Sequence, residues 1–193
     1  KPVALLSQTA TAMQVITPPD VTTGPITIMA SAGIIGTNST SSNFYGPAVI
    51  TSFNPSSGRT GTNVVIKGTN FTGATSVLFN GTSASYTVNS NTQITATAPA
   101  NVATGKITVT APGGGAVSVS NFMVLPTLTS FSPAFGAVGS TVTINGANFI
   151  GTPTVKFNGV TATTVVVTNP TLLSAVVPSS ATSGFITITT TDG

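Results

Sequence analysis

The chain has 193 residues and few charges: Lys and Arg number five, Asp and Glu number two, and the formal net charge is +3. It has no His, Cys, Trp or Glu. General acid–base catalysis, metal ligation and thiol chemistry draw on these residue types. The composition therefore predicts a non-enzymatic protein without a cofactor or a metal. The two carboxylates, Asp20 and Asp192, are too few for a glycoside hydrolase or a calcium site.

The charge distribution also bears on partners. The cations are scattered along the chain at Lys1, Arg59, Lys67, Lys106 and Lys156. Since nucleic-acid binding requires a clustered basic surface, a nucleic-acid partner is not expected. The chain has no apolar run of about 18 residues, so no membrane-spanning segment is predicted.

The first part of the chain, residues 1–47, alternates apolar residues with Thr, as in Ile26-Thr-Ile28. A period of two is typical of a half-buried strand. We interpret residues 1–47 as the C-terminal part of a first repeat, with about three strands.

Residues 48–124 form the middle repeat, which is predicted to be complete. Its motifs begin with Ile50-Thr-Ser-Phe53-Asn-Pro55-Ser-Ser-Gly58 and Gly68-Thr-Asn70-Phe71-Thr-Gly73. Val77-Leu-Phe79-Asn80-Gly81 and Gly105-Lys-Ile-Thr-Val109 follow. Short alternating runs separated by Gly and Pro predict a β-sandwich of about seven strands.

Residues 125–193 repeat these motifs, with Phe131 78 positions after Phe53. We expect this third repeat to lack its last strand, because it stops before a counterpart of Gly115 to Val124. The repeated motif residues are Phe131, Pro133, Asn148, Phe149, Asn158, Gly159 and Gly184.

The Asn-Phe pairs at 70–71 and 148–149 sit between glycines. We predict that each Phe fills one end of a sandwich, as most phenylalanines of the chain are expected to lie in the core. Each Asn is predicted to close its loop by hydrogen bonding.

Two kinds of turn are predicted. The Asn-Gly pairs at 80–81 and 158–159 are strong signals for a two-residue hairpin turn. Gly24, Gly105 and Gly184 directly precede strands, and each is predicted to hold a positive φ.

These four recurring motifs together resemble the IPT/TIG family of immunoglobulin-like domains over nearly the whole chain. The resemblance implies an all-β fold of tandem early-set immunoglobulin-like sandwiches. In bacteria it implies copies on secreted or surface-attached proteins. The family offers no catalytic residues to carry over. The basic loops of its DNA-binding members have no counterpart here.

The resulting hypothesis is a structural or adhesive module, outside the cell or on the surface of a prokaryote. It would serve as a spacer or as a subunit of an appendage or filament. The incomplete first and third repeats have two explanations. The chain is a piece of a longer array, or copies associate by strand addition, with residues around Thr37, Phe44 and Tyr45 completing the third repeat of the next chain. A polysaccharide-binding module of a secreted protein and a virion or tail decoration protein are the alternatives. Tyr45 and Tyr86 offer few flat faces for a sugar.

Overall fold

The computed structural model describes residues 4–8, 13–17, 21–29 and 37–190, and every regular element in them is a β-strand. The first part of the chain has β1 Ala4–Gln8, β2 Met13–Ile16, β3 Gly24–Met29 and β4 Thr37–Phe44. β1 pairs with β2 and β3 pairs with β4, both antiparallel. The period-two pattern around Ile26 thus lies on a hairpin.

The middle repeat is a sandwich of two sheets. Its strands are β5 Val49–Asn54, β6 Ser57–Gly58, β7 Asn63–Thr69, β8 Ser76–Phe79, β9 Thr82–Ser83, β10 Ser85–Ser90, β11 Gln93–Thr97, β12 Gly105–Ala111 and β13 Gly114–Val124. One sheet has the order β10-β11-β7-β5, and the other has the order β6-β13-β12-β8-β9.

The third repeat has the same arrangement with fewer strands in its second sheet. Its strands are β14 Thr127–Ser132, β15 Thr141–Ala147, β16 Thr154–Phe157, β17 Val160–Thr161, β18 Val165–Asn169, β19 Leu172–Val176 and β20 Ile186–Thr189. The sheets have the orders β14-β15-β19-β18 and β17-β16-β20. The prediction of tandem all-β immunoglobulin-like sandwiches is therefore confirmed.

Alternation along the strands builds the core of each sandwich. In β7 the buried positions Val64 and Ile66 alternate with more exposed neighbours. Phe79 of β8 and Phe122 of β13 meet edge to face, with ring centroids 5.1 Å apart and an interplanar angle of 86°. Such aromatic pairs contribute about 0.5–1.5 kcal/mol beyond the area that they bury. The core of the middle sandwich is thus closed by a side chain from its last strand.

Replacing Phe122 with Ala should lower the free energy of unfolding of the middle sandwich by about 3–5 kcal/mol, because it leaves a cavity beside Phe79. Urea unfolding followed by tyrosine fluorescence measures this, since Tyr86 packs against this core. Phe135→Ala is the matched control, because Phe135 is highly exposed. Equal losses in the two variants would contradict the assignment of Phe122 to the core.

Candidate functional site

A groove of about 350 Å³ with a mixed polar and apolar surface lies along the third sandwich, between the segment that follows β14 and the start of β20. We call it the third-sandwich groove. Six of its lining residues are Phe131, Phe135, Val138, Phe157, Gly184 and Ile186. β20 is at the end of its sheet in the part of the chain that the structure describes, with β16 on its other side.

The corresponding place in the middle sandwich holds β13. This strand pairs antiparallel with β12 on one side and parallel with β6 on the other. The Met123 backbone N–H donates to the Ser56 carbonyl over 2.9 Å, and that of Leu125 donates to the Gly58 carbonyl over 3.0 Å. Phe122 of the same strand is fully buried. A strand bonded on both edges therefore fills the middle sandwich at the position of the groove.

Side chains beside the groove are more exposed than the side chains at equivalent positions of the middle sandwich. Ile107 of the middle sandwich is fully buried, whereas its counterpart Ile186 is only half-buried. Phe53 is half-buried and packs against the core, whereas Phe131 is 41% exposed. In the middle sandwich β13 adds core contacts beside β12, and no described strand takes its place beside β20.

Two phenylalanines of the third sandwich are highly exposed. Phe135 is 88% exposed and Phe185 is 85% exposed, at positions where the middle sandwich has Ser57 and Lys106. The expectation of a core position is therefore wrong for Phe131, Phe135 and Phe185. Phe131 is exposed although its counterpart Phe53 packs against the core of the middle sandwich.

Asn70 joins the middle sandwich to the preceding part of the chain. It has a left-handed backbone with φ of 59° and is 4% exposed. Its Nδ2 donates to the Pro47 carbonyl over 2.9 Å and to the Val21 carbonyl over 3.2 Å. Its Oδ1 accepts from the Thr23 backbone N–H over 3.0 Å. These bonds all go to residues that precede the repeat and none goes to the loop that contains Asn70, so the prediction that this asparagine closes its loop is wrong.

The second junction is held by different contacts. Asn148, with φ of 58°, donates from Nδ2 to the Leu125 carbonyl over 3.4 Å. Arg59 donates from Nε to the Pro126 carbonyl over 3.1 Å. Both bonds end on the short connection Leu125-Pro126 between the two sandwiches.

Phe71 and Phe149 follow these asparagines and are buried, at 0% and 1% exposure. A Cβ built at Gly68 would lie 2.4 Å from Phe71 Cζ, and one at Gly146 would lie 2.4 Å from Phe149 Cζ. These two glycines leave room for the rings. No role was predicted for these two glycines from the sequence. Their recurrence at equivalent positions of both repeats was a signal of this role.

The Asn-Gly pairs form two-residue turns. Asn80 and Gly81 have φ of 45° and 82°, and Asn158 and Gly159 have φ of 45° and 85°. The first turn joins β8 to β9, with Phe79 opposite Thr82. The backbone N–H of each Asn also donates a hydrogen bond. In Asn80 the acceptor is the Lys106 carbonyl, at 2.8 Å.

The prediction of a positive φ at Gly24, Gly105 and Gly184 is wrong, because none of them is in that region. A Cβ at Gly105 would lie 2.4 Å from Asn80 Cγ, and one at Gly184 would lie 2.4 Å from Asn158 Cγ. At both sites the absence of a side chain on the glycine leaves room for the asparagine of the Asn-Gly turn.

The remaining motif residues lie near the strand β6 and its counterpart. Pro55 and Pro133 each follow a cis peptide bond. Gly58 is buried and pairs in parallel with Val124, and a Cβ there would lie 2.5 Å from Thr62 Oγ1. These residues hold the chain beside the last strand of the middle sandwich.

Thr37, Phe44 and Tyr45 are the residues predicted to complete the third repeat of a neighbouring chain. They lie on β4 or directly after it. Thr37 pairs with Met29 at the start of this strand, and Phe44 pairs with Gly24 at its end. Phe44 is half-buried, and Tyr45 is 41% exposed.

The described residues bring together no group of three His, Cys, Asp or Glu side chains that could hold a metal ion. Within the same residues, no helix is long and apolar enough to cross a membrane. What the geometry offers is a groove and tightly bonded junctions.

The fold and the repeated loops define a class: tandem immunoglobulin-like β-sandwiches joined by short connections. The family model described as IPT/TIG domain matches residues 48–123 and 126–193. The chain belongs to this family, which confirms the resemblance seen in the sequence. No curated protein matches the chain with significant similarity.

Solved structures show partial similarity. One is a protein crystallised with a xylogluco-oligosaccharide, at 19% identity and a TM-score of 0.46 over 77% of this chain and 42% of that chain. Another is SGBP-B of a xyloglucan utilization locus in Bacteroides uniformis, at 27% identity and 0.34 over 76% and 47%. The surface glycan-binding protein PbSGBP-B of Prevotella bryantii has 16% identity and 0.43 over 77% and 40%. The chain thus spans less than half of each of these proteins.

Replacing Gly105 with Ala should destabilise the middle sandwich by about 1–3 kcal/mol, because the added methyl group displaces Asn80 from its turn. Thermal unfolding of the two single variants checks this. Gly115→Ala is the matched control, since a Cβ there would lie 3.7 Å from the Val109 carbonyl oxygen, an ordinary van der Waals contact. Equal unfolding temperatures would contradict the close approach of Gly105 to Asn80.

Proposed function

We propose that this chain is a non-enzymatic structural module of an extracellular or cell-surface protein of a prokaryote. Its tandem sandwiches hold other parts of that protein at a fixed separation. Copies associate with one another, so that the module also serves as a subunit of an appendage or filament.

The observation that carries the proposal is the hydrogen bonding of Asn70 at the first junction. A flexible linker leaves its repeats free to rotate, whereas this amide belongs to the middle repeat and bonds residues that precede it. A buried polar group that loses its partners costs about 1–3 kcal/mol, so opening the junction is unfavourable. Close backbone approach supports it further, because a Cβ at Gly113 would lie 2.0 Å from the Gly46 carbonyl oxygen.

The surface chemistry supports a location outside the cell. Charged residues are 4% of the chain, and the polar positions of the strands are mostly Thr, Ser and Asn. These hydroxyl and amide groups keep the sheet faces hydrated without ion pairs. The absence of cysteine agrees with secretion that does not depend on disulfides.

A polysaccharide partner is the second candidate function. Phe135 and Phe185 each present most of an aromatic ring to solvent, and sugar rings bind to such faces.

The stiffness of the first junction can be measured by the distance between two spin labels. Because the chain has no cysteine, labels at Asn43→Cys and Thr87→Cys report only this junction. We expect a narrow distance distribution that Asn70→Ala broadens, because the amide bridge is lost.

Asn148→Ala is the matched control and should leave this distribution unchanged, since its bond lies at the second junction. A distribution in the unmodified junction as broad as that of Asn70→Ala would overturn the spacer role.

Polysaccharide binding would be seen as retardation of the chain in polysaccharide-containing native gels. The double variant Phe135→Ala/Phe185→Ala should abolish that retardation, whereas Val119→Ala, at another highly exposed apolar residue, should not. No retardation of the unmodified chain by xyloglucan, cellulose or chitin would count against this second function for these glycans.

A further inference from the structure

We propose that β18, at one edge of the third sandwich, pairs antiparallel with β18 of a second copy of this chain across a two-fold axis. The proposal rests on the association of copies proposed above and names the surface through which they meet. This surface belongs to the sheet β14-β15-β19-β18, which is not the sheet that contains β20.

The free edge of β18 is a property of the sandwich itself. β18 pairs with β19 on one side, and among the described strands none lies on its other side. The middle sandwich has the same edge, where β10 is at the end of its sheet beside β11. The edge therefore does not depend on how many strands the opposite sheet contains.

The backbone of β18 directs hydrogen-bonding groups out of this edge. The Val176 backbone N–H of β19 donates to the Thr164 carbonyl over 3.0 Å. Residues that bond to a given neighbour alternate along an antiparallel strand, so the next residue bonded to β19 is Val166. Val165 and Val167 then point their N–H and carbonyl groups away from the sheet. A strand that arrives at this edge therefore finds both donors and acceptors.

The side chains of β18 favour pairing and lack the usual protection against it. Sheet edges in soluble proteins commonly carry Lys, Pro or an inward-facing charge. Residues 163–168 read Thr-Thr-Val-Val-Val-Thr, which are all β-branched and include no charge, Pro or Gly. Such segments are typical of strands that pair between chains. Val166 is 54% exposed, so an apolar side chain already faces solvent here.

The corresponding edge of the middle sandwich is more polar. Thr87 of β10 pairs with Thr95, and Val166 has the equivalent position in the third sandwich, where it pairs with Ser174. The Thr95 Oγ1 donates to the Asn89 Oδ1 over 2.8 Å, so hydroxyl and amide groups cover that strand. The apolar edge is therefore a feature of the third sandwich.

A second copy of this chain is the partner that the edge fits. Two identical chains have the same charges, so they approach each other most easily where neither chain is charged. Lys156 is the only charged residue between positions 126 and 190, and it lies on β16 in the opposite sheet. β18 is also itself the kind of strand that its edge requires, because it is extended, uncharged and β-branched.

One register satisfies the exposed backbone groups of both copies. With the two Val166 residues opposite each other, Val165 of each copy exchanges hydrogen bonds with Val167 of the other. The two Val166 side chains then form a non-hydrogen-bonded pair, with Cα atoms about 4.5 Å apart. A pair centred on Val165 would need Thr163, which lies at a bend, and one centred on Val167 would need Asn169, beyond a bulge.

Sedimentation equilibrium of the full chain tests this pairing. Because interfaces that bury less than about 1,200 Å² in total are typical of weak complexes, the dimer should form only as the concentration rises. Its mass should be twice the 19.0 kDa of the chain. Val166→Lys and Val166→Glu should each raise the dissociation constant by about tenfold or more, since like charges would lie directly opposite each other.

An equimolar mixture of Val166→Lys and Val166→Glu should restore the dimer, because opposite charges then face each other. This recovery separates a lost interface from a misfolded variant. Val119→Lys is the matched control, since Val119 is an exposed valine of the middle sandwich, and it should leave the dissociation constant unchanged.

A disulfide between copies tests the register. The chain has no cysteine, and the expected separation of the two Val166 Cα atoms lies within the range that a disulfide spans. Val166→Cys should therefore form a linked dimer under mild oxidation. Thr87→Cys, at the equivalent position of the middle sandwich, is the matched control and should link much more slowly.

Two outcomes would overturn the proposal. If Val166→Lys and Val166→Glu form the dimer as well as the unmodified chain does, copies associate through another surface. If the unmodified chain stays monomeric at every concentration and Val166→Cys links no faster than Thr87→Cys, the edge of β18 does not pair and the association of copies fails with it. In both cases a narrow spin-label distribution at the first junction would leave the spacer role standing.

Discussion

The closure of the middle sandwich depends on its last strand, which brings a phenylalanine into the core. Phe122 packs edge to face on Phe79, and the backbone around it is bonded to β12 and to β6. Hydrophobic burial is the main favourable term in folding, so the stability of this sandwich depends on that contact.

Asn70 and Asn148 each set the backbone of a loop and also form hydrogen bonds at a junction between repeats. Asparagine tolerates the left-handed backbone that the loop needs, and its amide then remains available for carbonyl groups nearby. At the first junction that amide binds Val21, Pro47 and Thr23, whereas at the second it binds Leu125 alone. The first junction is therefore held by more side-chain hydrogen bonds than the second, and a repeat array can be stiff without a large apolar interface.

Much of the fold could be predicted from the sequence because its signals are local. Alternation of Ile107 and Val109 with Thr predicts a strand, and an Asn-Gly pair predicts a hairpin turn through its own backbone preferences. The bounds of the three repeats stay predictions, although the family model matches two stretches close to them.

The site could be predicted only in part, because its properties depend on distant neighbours. The exposure of Phe131 depends on what lies beside β20, and the role of Gly105 depends on the side chain of Asn80. The contact of Asn70 with Val21 joins residues from different repeats. No local pattern carries this information.

Hydrogen exchange of the middle sandwich in the Phe122→Ala variant tests the central claim most directly. The account predicts that backbone amides of residues 105–111 and 114–124 lose protection, because the ring that packs β13 onto the core is gone. Protection equal to that of the unmodified chain would contradict the account.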